Sequence, residues 1–151
     1  MSMTEEMPAH LQGNGRPTQE ELTLTDLKVV GHIPAELDGR YLRNGANPLT
    51  GMSDHPFFGD GMIHGIRLQG GQAKWYRNRY IDTPVYRKEV SKFSPPTGKN
   101  TTSAVSLIYH GGELMSLGEV GYPYLINPDD LSTKGVFNYD GKLTGNMTAH
   151  P

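Results

Sequence analysis

Apolar and polar positions alternate along this chain in short runs, each closed by glycine or proline. This predicts many turns and short strands in place of long helices. Residues 22–30 alternate loosely and read as a first strand. Residues 33–39 read as a turn, because Asp38-Gly39 is a strong turn dipeptide. Two hairpins follow from local chemistry. In the first, residues 62–68 run into Gln69-Gly70-Gly71-Gln72 and return through residues 73–80; the glycine pair supplies the positive φ angles that tight hairpin turns need. In the second, residues 104–110 meet Gly111-Gly112 and return through residues 113–117, with Val105, Leu107 and Tyr109 on one face. A third pattern joins residues 124–126 to residues 136–139 through Asn127-Pro128-Asp129-Asp130. Between the two hairpins lie a short helix candidate, residues 85–90, and a polar loop, residues 94–100.

Hairpins recurring at intervals of roughly 40 residues suggest a repeated four-stranded unit, as in a propeller blade. The repeat is architectural, without matching residues between units. That interval leaves room for three to four blades, whereas a closed propeller typically takes about 4–8. The chain also stops at Ala149-His150-Pro151 with no terminal strand. The expectation is therefore an all-β chain forming the first blades of a longer protein, with strand edges that make the piece poorly soluble alone.

Composition narrows the function classes. The net charge is -2, with no basic run, so nothing favours a nucleic-acid partner. Cysteine is absent, which excludes a disulfide framework, a thiolate metal site and a cysteine nucleophile, and fits a cytoplasmic location. No apolar run approaches the roughly 20 residues of a membrane span. Residues 1–18 lack the apolar region of a signal peptide. Residues 1–20 are expected to be a flexible arm, and residues 21–151 the incomplete propeller domain.

Five segments in order carry a family resemblance. Residues 31–48, Gly-His-Ile-Pro-Ala-Glu-Leu-Asp-Gly-Arg-Tyr-Leu-Arg-Asn-Gly-Ala-Asn-Pro, resemble the opening signature of the carotenoid cleavage oxygenases. Phe58-Gly59-Asp60-Gly61-Met62-Ile63-His64 is similar to their Gly-Asp-Gly-Met motif, and residues 75–80 to the strand that follows it. Glu119-Val120-Gly121-Tyr122-Pro123-Tyr124 resembles a Glu-x-Gly-x-Pro-Tyr region. Thr148-Ala149-His150-Pro151 resembles the motif that carries the first iron-binding histidine.

The resemblance implies a seven-bladed β-propeller under a helical, loop-built dome. It implies Fe(2+) held by four histidines, three of them oriented by glutamates. The implied reaction uses O2 to cleave a carbon–carbon double bond in an apolar polyene, either a carotenoid or an apocarotenoid. Alternatives are a stilbene substrate and a non-catalytic propeller binding module. Peripheral membrane contact and oligomeric state are left open. His150 is the expected metal ligand, since imidazole is a good ligand for ferrous iron. One imidazole does not retain iron, so the 151-residue chain alone is expected to be inactive. Glu119 is the expected carboxylate that orients a ligand histidine, with its partner expected outside this chain.

Other residues weigh less. Asp60 and His64 share a strand face, but Asp60-Gly61 reads as a turn former. His10, His32, His55 and His110 receive no metal role. Arg40, Arg43, Arg77 and Arg79 interleave with aromatic residues and read as paired strand arginines. Phe57, Phe58, Tyr86 and Tyr122 read first as core and second as substrate-channel lining. Stilbene-cleaving members use a lysine and a tyrosine to deprotonate the substrate phenol, the lysine close to the Leu117-Gly118-Glu119 stretch; this chain has Leu117 and Gly118 there and no lysine, which favours a carotenoid or apocarotenoid.

Overall fold

A computed structural model describes residues 7–91 and 98–151. Its eight strands form two four-stranded antiparallel sheets. The first contains β1 (Thr23–Leu24), β2 (Gly39–Asn47), β3 (Asp60–Gln69) and β4 (Gln72–Tyr80), in spatial order β1-β4-β3-β2. The second contains β5 (Ser106–His110), β6 (Glu113–Leu117), β7 (Tyr124–Ile126) and β8 (Thr133–Val136), in the order in which they occur along the chain. β2 and β5 approach each other where the sheets meet. Two blade-like sheets stand where the hairpin interval predicted three to four. The reason is the length of the connections: among the described residues, 25–38, 48–59, 81–91 and 98–105 add no strands.

Both predicted hairpins form, and their glycines explain why. Gly70 and Gly71 have φ of 56° and 74°, and Gly111 and Gly112 have φ of 59° and 84°. Both positions of each two-residue turn are left-handed, so the turn twist matches the strands it joins. Gln69 then pairs with Gln72, and His110 with Glu113.

The remaining elements differ from the sequence pattern. β1 covers two residues of the predicted 22–30, because it pairs with Arg77 and Tyr76 alone. Beyond it Val29 and Val30 are exposed. Asp38-Gly39 and Asp60-Gly61 do not make turns. The turn lies earlier, where Leu37 N–H donates to Pro34 O, and Gly39, Asp60 and Gly61 enter the β2–β3 ladder. Residues 84–88 form successive turns instead of a helix. The last strand falls at Thr133–Val136, ahead of the predicted 136–139. Asn127 and Leu131 close the preceding loop early, with Leu131 at φ 65°. The predicted polar loop over residues 94–100 lies mostly outside the described residues.

The core lies between the sheets. Ile63 and Ile81 meet Leu114, Tyr124, Ile126 and Leu131, with Leu42, Trp75 and Leu107 packed against them. Arginines reinforce the junction from outside. Arg40 pairs with Asp129 at 2.5 Å, and Arg77 donates to Asp129 O while its guanidinium covers the Trp75 ring at 4.7 Å. Arg79 donates to Leu22 O and Thr23 Oγ1. Arg40, Arg77 and Arg79 thus make pairings of the kind expected of strand arginines.

The stretch expected to be a flexible arm makes specific contacts. It carries two 3-10 turns, Ala9–Leu11 and Gly13–Gly15, and Leu11 is 4% exposed. Thr18 exchanges two 2.8 Å hydrogen bonds with the Asn47 carboxamide. Asn78 accepts from Leu22 N–H at 2.6 Å and donates to Glu20 O at 2.8 Å. Two buried carboxamides thus dock a polar segment through its backbone, which hydropathy does not register.

Tyr124 donates its phenol to Lys99 O at 2.7 Å, and burial pushes it up from the ordinary 10.0 to about 12. Burial raises Tyr76, Tyr80 and Tyr86 in the same direction. A phenol that keeps its proton longer in the folded state contributes stability below its unfolded value, and that contribution is lost as pH rises. Unfolding free energy is therefore expected to fall between pH 10.0 and about 12, with Tyr124→Phe flattening part of the slope. Denaturant titrations across that range check this, and an unchanged slope in the variant would contradict it.

Candidate metal-ligand site

His150 and Glu119 reach one place by different routes. Glu119 follows the end of β6, just past Gly118. A Cβ on Gly118 would come within 2.7 Å of Thr101 Oγ1, so glycine lets the chain leave the strand beside residues 101–103. His150 lies on an irregular segment after β8 that is fixed at three points. Gly121 N–H donates to Asn146 Oδ1 at 2.9 Å, and Met147 N–H donates to Gly121 O at 2.9 Å. Ser106 Oγ donates to Ala149 O at 2.5 Å, and Ala149 is fully buried. His150 N–H also donates to Thr148 Oγ1 at 3.2 Å.

The outcome is a contact of 3.1 Å between His150 Nε2 and Glu119 Oε1, with the two side chains 70% and 61% exposed. The structure pairs Glu119 with His150 itself, where the resemblance placed its partner outside the chain. An exposed pair of this kind is worth about 0–1 kcal/mol to stability. A carboxylate on one ring nitrogen can set the tautomer of an imidazole and leave its other nitrogen open. The donor chemistry therefore fits a histidine ligand. The described residues contain no group of three His, Cys, Asp or Glu side chains able to hold a metal.

The cluster under Ala149 was not visible in the sequence. Ser106 lies on β5, and its backbone O accepts from Asn44 Nδ2 at 3.2 Å. Asn44, on β2, also donates to Ser103 O at 2.8 Å and to Ser116 Oγ at 3.0 Å. Ser103 Oγ and Ser116 Oγ are 2.9 Å apart, and Ser116 Oγ donates to Ser103 O at 2.7 Å. Single serines carry no spacing signal. Asn44 alone fell within a recognised segment, without a role.

The other candidates stay apart from this pair. Asp60 Oδ2 accepts from Leu49 N–H at 3.0 Å and serves the β2–β3 connection. His64 Nδ1 lies 2.8 Å from Tyr76 Oη, and burial, aided by the Arg43 charge, holds its pKa below the usual value. His55 packs against Phe57 and Phe58, both exposed. Tyr86 stacks on Tyr80, and Tyr122 flanks Gly98. A cleft of about 180 Å³ lies between Asp82, Arg87, Lys99 and β8. Ligand pockets usually measure about 300–1,000 Å³, so this cleft is smaller than a typical ligand site. No helix among the described residues is long and apolar enough to cross a membrane.

Comparison with known proteins gives consistent findings. The family model described as retinal pigment epithelial membrane protein matches residues 15–151. A carotenoid cleavage oxygenase of Mycobacterium tuberculosis H37Rv is 40% identical over 155 residues, covering 94% of this chain and 30% of that protein. Carotenoid 9,10(9',10')-cleavage dioxygenase 1 of Arabidopsis thaliana is 34% identical, covering 96% of this chain and 34% of its own length. The chain thus spans about a third of the curated relatives it matches. Among solved structures, a Pseudomonas brassicacearum lignostilbene dioxygenase superposes with a TM-score of 0.79 at 28% identity, over 97% of this chain and 35% of that one. A Synechocystis apocarotenoid oxygenase variant gives 0.76 at 24% identity, over 89% and 33%, a likeness of fold. With its two antiparallel sheets, its five ordered motifs and a match over nearly its whole length, the chain belongs to the retinal pigment epithelial membrane protein family, which includes the carotenoid cleavage oxygenases.

Proposed function

We propose that this chain is part of an iron-dependent dioxygenase that cleaves a carbon–carbon double bond of a carotenoid or apocarotenoid. The observation that carries the reading is the 3.1 Å contact between His150 and Glu119, held where the resemblance puts the first ligand histidine. His150 would hold Fe(2+) through its second ring nitrogen, together with histidines from the rest of the protein. When bound, ferrous iron supplies the electrons that make O2 reactive toward an alkene, so that one double bond and one O2 become two carbonyl groups. Glu119 accepts the imidazole N–H and fixes the ring's orientation. The buried Ala149 anchors the backbone one residue before the ligand.

The choice of substrate class rests on the absence of a lysine at Leu117-Gly118-Glu119. A stilbene phenol would need the lysine that stilbene-cleaving relatives carry near this position. Here even a Cβ would press on Thr101 Oγ1 at 2.7 Å. The reading therefore favours a polyene with no phenol to deprotonate. Iron analysis and product identification on the protein containing this chain, offered carotenoids, apocarotenoids and stilbenes under O2, test it. Paired carbonyl products from a polyene are the expected result. Cleavage confined to hydroxystilbenes would overturn the substrate class, and absence of both iron and products would favour a binding module.

Glu119→Gln separates the carboxylate's role from that of the ligand. The amide keeps the shape and loses the charge, so iron affinity is expected to fall about 10–100-fold with the fold intact. Chelator competition measures this, and wild-type affinity would mark Glu119 as a surface carboxylate.

A further inference from the structure

We infer that Asn44 and Ser106 are positioning residues for His150, acting as a relay from the first sheet to the backbone that carries the imidazole. The inference rests on the reading of His150 as a metal ligand.

The geometry runs in one direction. Asn44 projects from β2 and puts a single nitrogen within 2.8 Å of Ser103 O, 3.0 Å of Ser116 Oγ and 3.2 Å of Ser106 O. A carboxamide has two N–H groups, so three acceptors crowd two donors. The other end of the amide, Oδ1, is buried and has no hydrogen-bond partner among the described residues. Among the described residues Asn44 therefore acts as a donor across the boundary between sheets. Ser103 is fully buried and sits at φ 52°, a left-handed conformation that is strained for a serine. A buried, strained, polar cluster is a poor choice for stability, where apolar packing between β2 and β5 would serve as well. What such a network does well is select one arrangement, because each member constrains the next. Its exit point is Ser106 Oγ, whose partner is Ala149 O. Ala149 precedes the imidazole by one residue, and no other hydrogen bond from the second sheet's strands reaches residues 148–151 among those described.

Two features separate this role from general support of the fold. Ser106 is half-buried, and its hydroxyl is the one group in the relay whose removal leaves the Asn44 and Ser116 bonds in place. The segment it holds is otherwise irregular. Loss of that bond should loosen the histidine without opening the core.

The test uses the iron-loaded protein that contains this chain, with Fe(II) affinity by chelator competition and the unfolding midpoint measured together. Ser106→Ala is expected to weaken Fe(II) binding about 10-fold or more, within the range seen for groups that orient ligands, while the unfolding midpoint stays at the wild-type value. Ser106→Thr, which keeps a hydroxyl, should restore the affinity. Asn44→Ala is expected to lower both affinity and midpoint. Wild-type affinity in Ser106→Ala, or failure of threonine to rescue it, overturns the inference. His150→Ala is the companion measurement. If it loses iron while Ser106→Ala binds normally, the relay alone is wrong. If it keeps iron, the ligand assignment falls and the relay with it.

Discussion

The His150→Ala protein is expected to fold normally and to hold no ferrous iron. Outside its own turn, the imidazole's recorded partner is Glu119, through an exposed contact that contributes about 0–1 kcal/mol to stability. Alanine therefore removes a ligand without opening a cavity. Loss of the carboxylate partner alone should weaken affinity about 10–100-fold, and loss of the ligand itself should exceed that and abolish polyene cleavage. Metal content per chain, turnover and the unfolding midpoint check the three parts together. Wild-type iron content with a wild-type midpoint would show that the metal centre is built without this residue.

Gly61→Ala is expected to produce the largest loss of stability of any single methyl addition to the first sheet. Its added Cβ would stand 2.5 Å from Thr102 O, 2.8 Å from Ile81 Cδ1 and 3.0 Å from Ser103 O. Two of those atoms are backbone, which cannot rotate aside. Overpacking of this kind costs about 1–3 kcal/mol and occasionally more, and the upper end applies here. The displaced segment is the one that Asn44 holds, so iron affinity should fall along with the unfolding midpoint. Denaturant unfolding of the variant measures the first effect and chelator competition the second. A midpoint near wild type would mean that residues 102–103 can retreat from β3.

What the sequence made legible was local. The two hairpins are written in Gly70-Gly71 and Gly111-Gly112, whose positive φ angles depend on nothing distant. β2 was hidden because Gly39–Asn47 mixes arginine, asparagine and glycine with little alternation. It is a strand because β3 offers nine consecutive partners, from Leu68 to Asp60. The same long-range pairing drew in Asp60-Gly61, which looks like a turn in isolation. His150 and Glu119 were found by resemblance, and their pairing with each other was not. It arises because residues 146–147 hydrogen-bond back onto Gly121. The serine relay had no signal at all, since its meaning lies in three strands meeting.

The outermost strand of the first sheet is the earliest in the chain. Leu22 finds its hydrogen-bond partner in Asn78, 56 residues later. During synthesis that edge has nothing to pair with until β4 emerges, so the sheet is completed by chain already made, not by chain still arriving. Non-local pairing of this sort slows folding and prolongs exposure of an open edge. Protection of this one edge should therefore begin soon after Tyr80 clears the ribosome, when the early segment can lie down along β4.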